Sequence, residues 1–150
     1  MEVDENNEFE EQEEGAVEIY SKNAIFWFSV LAAPLFGGIL LALNLKNAGY
    51  KKAMYWVIAF SIIFTVAADL GITAYLSANK ININVYDQKL FFLSAISIAL
   101  NITGAVILTQ FFFKKYFPDD DYYPKSILTP LLVTILIILA LRVLGLGAGI

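Results

Sequence analysis

Cysteine and histidine are both absent from this 150-residue chain. Without cysteine there is no disulfide framework and no thiolate metal site; without histidine the usual zinc ligand and general base are missing. Charge is also scarce, with 16% of residues charged against 59% hydrophobic. That is more apolar surface than one small soluble core could hide. The chain carries no HExxH, no phosphate-binding glycine loop and no Ser–His or Cys–His pair, and Asp69 has no second intramembrane aspartate with which to form a dyad. These absences argue against an enzyme and against a bound cofactor. The few basic residues flank apolar runs, which argues against nucleic-acid binding.

The net charge of −4 is unevenly distributed: Glu2, Asp4, Glu5, Glu8, Glu10, Glu11, Glu13, Glu14 and Glu18 all precede the first apolar run. Residues 1–22 are expected to be a disordered acidic tail, a solvated or docking arm. A cleavable secretory signal would open with basic residues, so the first apolar run is expected to stay.

Four apolar segments follow, at about 23–45, 53–77, 90–113 and 126–147. Each is long enough, at about 1.5 Å per residue, to cross a hydrocarbon layer of roughly 30 Å. Aromatic residues mark their ends: Phe26, Trp27 and Phe28, then Tyr55 and Trp56, then Phe91 and Phe92. Short connections predict an all-α, up-and-down bundle of four transmembrane helices. Lys46, Lys51, Lys52, Lys114, Lys115 and Lys125 fall on one side of that bundle, and Lys22, Lys80 and Lys89 on the other. The lysine-rich odd-numbered loops are therefore expected in the cytoplasm, with both termini outside. The segment YSKNAIFWFSVLAAPLFGGILLALNLKNAG is similar to segments of small bacterial membrane proteins; the resemblance implies a bacterial inner membrane and carries no activity.

Polar residues recur along the helices. Ser61, Thr65, Asp69, Thr73 and Ser77 fall at every fourth position of the second span and share one slowly winding stripe, expected to face inward. Ser94, Ser97, Asn101 and Gly104, three or four residues apart, form a comparable stripe in the third span, and Ser29, Ala33 and Gly37, with the neighbouring Gly38, offer a small-residue face in the first. Helix packing explains such stripes; a polar path or ligand cleft at Asp69 and Asn101 is the sharper alternative. Asp69 lies 17 residues beyond Lys52, and Arg142 lies 17 beyond Lys125. In parallel helices both would sit about 26 Å from the lysine-marked face, as a structural ion pair or with Arg142 reaching separately to headgroups. Pro34, followed by Gly37 and Gly38, predicts a kink in the first helix. Pro130 falls in the first turn of the fourth helix, where it is tolerated. Asp119, Asp120 and Asp121 read as a solvated turn.

The function expected from these features is that of an accessory subunit, an integral membrane protein whose helices pack against a larger membrane complex within the lipid bilayer while its acidic tail meets a basic surface. The alternative is a small channel or transporter formed by self-association.

Overall fold

A computed structural model describes residues 18–79, 88–118 and 122–144, without the side chains of Gln88 and Arg142. The acidic tail before Glu18, the connection around Asn82 and the Asp119–Asp121 turn lie outside the described residues. The described chain is mostly helical: α1 (Lys22–Ala32), α2 (Pro34–Asn47), α3 (Lys51–Ala78), α4 (Gln88–Val106), a π-helical stretch (Ile107–Phe113), α5 (Lys114–Tyr116) and α6 (Leu128–Val143). Two short strands, β1 (Glu18–Ile19) and β2 (Tyr123–Pro124), pair in parallel.

The first apolar segment is not one helix. It breaks at Ala33, whose backbone adopts φ 107° and ψ 154°, a region that residues other than glycine rarely enter. The cause lies in the next residue. A proline inside a helix costs about 3 kcal/mol or more, and it disfavours helical geometry in the residue before it. At the first position of a new helix the same proline costs little, because that position needs no N–H. The strain at Ala33, about 1–3 kcal/mol, is therefore comparable to the proline penalty, and contacts made by the folded-back chain settle the competition.

Those contacts are specific. Tyr20, just before α1, donates its N–H to Asn44 Oδ1 at 2.8 Å, and Asn44 Nδ2 returns a bond to Tyr20 O at 2.8 Å. The start of α1 and the end of α2 are thereby tied together, and α1 and α2 form an antiparallel hairpin. A Cβ at Gly37 would collide with Ser29 Oγ, which shows how closely the two arms approach. Ser29 and Gly37 thus face each other across the hairpin and are not neighbours on one helix face.

The hairpin reverses the expected order of the bundle. Its arms of 11 and 14 residues are about 16 and 21 Å long at helical rise, so it enters and leaves at the same end. Lys22 lies at the end that carries Lys46 and Lys51, not at the opposite one: its N–H donates to Tyr122 Oη at 3.3 Å and its Nζ lies 3.4 Å from Gln110 Oε1. The strand pairing and the bond from Lys125 N–H to Ile19 O, 2.8 Å, fix the same closure.

Among the described residues two helices are long and apolar enough to cross a membrane: Lys51–Ala78, and Lys89–Tyr116, which runs from α4 through the π stretch into α5, each 28 residues long. The α6 helix is apolar but has 16 described residues, about 24 Å of rise. The core lies where α1, α2, the first half of α3 and the π stretch converge, around Ile25, Leu41, Leu45, Val57, Leu108 and Phe113. The π turn widens the helix, and Thr109 Oγ1 donates to Ala105 O at 2.8 Å within it.

Candidate functional site

Three arrangements of polar groups stand out, and they serve different purposes. The first is the Tyr20–Asn44 pair. Asn44 is 1% exposed, and its amide satisfies both backbone groups of a buried residue 24 positions away. This is a structural clamp, since an unpaired buried donor or acceptor costs about 1–3 kcal/mol. Sequence reasoning did not single out Asn44. The available signal was an amide side chain within the uncharged run ILLALNL.

The second arrangement surrounds the hairpin tip. Val30 is among the last residues of α1, whose terminal carbonyls have no partner within their own helix. Asn101 Nδ2 donates to Val30 O at 3.2 Å. At the same crossing Gly104 leaves room for Pro34: a Cβ there would lie 2.5 Å from Pro34 Cγ and 3.0 Å from Phe64 Cε1. Gly38 does the same for Ser61, which is fully buried and donates to Val57 O at 2.8 Å. Asn101, Gly104, Gly38 and Ser61 are thus occupied in helix packing. Asn101 spends its amide on the hairpin and not on Asp69.

The third arrangement is the remainder of the α3 stripe. Ser61 is buried and Thr65 half-buried, its Oγ1 enclosed without a hydrogen-bond partner, whereas Asp69, Thr73 and Ser77 are exposed. The stripe therefore turns from the core to the surface along its length. Asp69 makes no hydrogen bond or ion pair among the described residues. The Arg142 side chain, its expected partner, lies outside them. Ser94 and Ser97 bond the carbonyls of Leu90 and Leu93 in their own helix.

At the depth of Asp69, on another face of α3, the packing opens. The second half of α3 and the first half of α4 diverge, leaving an apolar cleft of about 460 Å³. Ala68, Gly71 and Tyr75 form one wall; Leu93, Ile96 and Leu100 form the other. A Cβ at Gly71 would meet nothing within 4 Å. On α6, Thr134 is the one residue described as buried, while Leu132, Leu136, Leu139 and Val143 are each more than half exposed. The molecule thus has a closed end, where hairpin, aromatic residues and lysines meet, and an open apolar end.

The closed end is held by ring contacts. Tyr50 lies 5.2 Å from Tyr116 and 6.5 Å from Phe117, while Phe113 lies 5.2 Å from Phe117 and 5.9 Å from Tyr122. Lys125 Nζ sits 5.8 Å from the Tyr20 ring centroid. Among the described residues no group of three or more acidic side chains could hold a metal ion. Comparison with protein-family profiles, with curated proteins and with solved structures returns no match.

Proposed function

We propose that the protein is a small integral membrane interaction subunit that lies against a larger membrane protein through the open half of α3, α4 and α6. The observation that carries this reading is the open apolar cleft along a 28-residue apolar helix, walled on that helix by Ala68, Gly71 and Tyr75, with Asp69 exposed on the adjacent face of the same helix and without a hydrogen bond or ion pair among the described residues. A carboxylate facing hydrocarbon is costly, by about 2.5–3.5 kcal/mol on the insertion scale. Small residues let another helix approach closely. A partner helix seated in the cleft would meet the small residues, and a partner that also covers the adjacent face of α3 would meet Asp69 if it brings a hydrogen-bond donor or cation to that depth.

The hairpin also supports an orientation. With Lys22, Lys46, Lys51, Lys52, Lys114, Lys115 and Lys125 at one end and, among the described lysines, Lys89 toward the other, the lysine-rich end is cytoplasmic by the positive-inside rule. The acidic tail begins at that same end, so no carboxylate-rich segment has to be exported.

The test is site-specific photo-crosslinking from Gly71 in native membranes. A discrete heavier adduct containing a second protein is the expected product. Adducts to lipid alone refute the reading, and adducts to a second copy alone favour a self-associated pore.

A further inference from the structure

Seven lysines gather at the closed end, and the hairpin brings them together. Lys46 follows Asn44, which Tyr20 bonds, by two residues in the last turn of α2. Lys51 and Lys52 open α3 next to Tyr50, whose ring touches Tyr116, and Lys114 and Lys115 immediately precede Tyr116. Lys125 bonds Ile19 O through its backbone, and Lys22 lies against Tyr122 and Gln110. Lys46, Lys51, Lys52, Lys114 and Lys115 are exposed, and among the described residues none of the seven ammonium groups meets a carboxylate.

The counter-charge is in the same chain. Residues 1–17 carry eight carboxylates, from Glu2 to Glu14, and no lysine or arginine. They join the fold at Glu18, whose strand pairs with Tyr123 and Pro124 beside Lys125. We infer that the lysine face is the docking surface for residues 1–17 of its own chain. Extended, 17 residues reach about 55 Å, more than enough to cover a face whose members are linked by the contacts above. In a continuous first span the tail and most of these lysines would lie on opposite sides of the membrane; the fold-back at Ala33 is what puts them on one. Attraction between opposite charges at an exposed face is screened by salt, so the docked state depends on ionic strength. Glu18 and anionic headgroups offer the same lysines competing negative charge.

The inference is tested with the full-length protein in nanodiscs of zwitterionic lipid. A zero-length carbodiimide joins carboxylates to the amines they touch, and mass spectrometry maps the links in an equal mixture of 15N-labelled and unlabelled chains. The expected result is intrachain links from Glu8, Glu10, Glu11 and Glu13 to Lys51, Lys52, Lys114 and Lys115. They should fall several-fold at about 1 M salt, where the Debye length is about 3 Å, and persist when anionic phospholipid is added. The quadruple change of those glutamates to glutamine should remove the links without lowering thermal stability. Links from these lysines only to Asp119, Asp120 and Asp121, tail links only between differently labelled chains, or loss of the tail links in anionic discs would each overturn the inference. The last result assigns the face to lipid headgroups.

Discussion

Replacing Ala33 by glycine should stabilise this protein, although glycine within an apolar helical segment ordinarily does the reverse. Ala33 holds φ 107° and ψ 154°, a conformation that costs a side-chain-bearing residue about 1–3 kcal/mol. Glycine removes most of that strain and returns about 0.4–1 kcal/mol to the unfolded chain as added freedom. The expected net gain is about 1 kcal/mol. Were residues 23–45 one continuous helix, the same change would cost about 1 kcal/mol. The two structures differ by about 2 kcal/mol, roughly thirtyfold in the unfolding equilibrium. The sign alone decides between them. The assay is an SDS titration from mixed micelles followed by helical circular dichroism. Pro34→Ala provides the opposing control. In the hairpin it removes a ring packed on Gly104 and destabilises, whereas in a continuous helix it removes a breaker worth about 3 kcal/mol and stabilises. Loss of stability in Ala33→Gly together with a gain in Pro34→Ala would refute the fold-back.

Asn44→Leu should cost about 2–4 kcal/mol in the same titration, because it leaves Tyr20 N–H and C=O buried and unpaired; a loss below about 0.5 kcal/mol shows that these groups find other partners. In intact cells, cysteines placed by Asn47→Cys and Asn6→Cys should both resist an impermeant thiol reagent while Asn82→Cys reacts, and labelling of Asn6→Cys alone among the first two would put the tail outside. The chain has no native cysteine to confuse this measurement. If the matched 17-residue offsets bring Asp69 and Arg142 together, Asp69→Asn and Arg142→Gln should each destabilise and the double change should cost less than their sum; additive effects place the two side chains apart.

The sequence by itself determined that the chain is helical and apolar, that it breaks near Pro34, and that its lysines are asymmetric about its apolar segments. The spans near 53–77 and 90–113 correspond to the two 28-residue helices, because length and hydropathy are local properties of the chain. Whether the break at Pro34 is a kink or a reversal was not local. A hydropathy window reads the same for 23 residues in line and for two shorter arms folded together, and the choice rests on whether Ala33's strain and α1's open carbonyls are offset from elsewhere. The offsets come from Asn44, 24 residues from Tyr20, and from Asn101, 71 residues from Val30. The periodic stripe on α3 was legible, yet only the tertiary structure decided that Ser61 faces Gly38 while Asp69 faces outward. Spacing along one helix fixes which residues share a face; what covers that face at each level depends on where the neighbouring helices end and diverge.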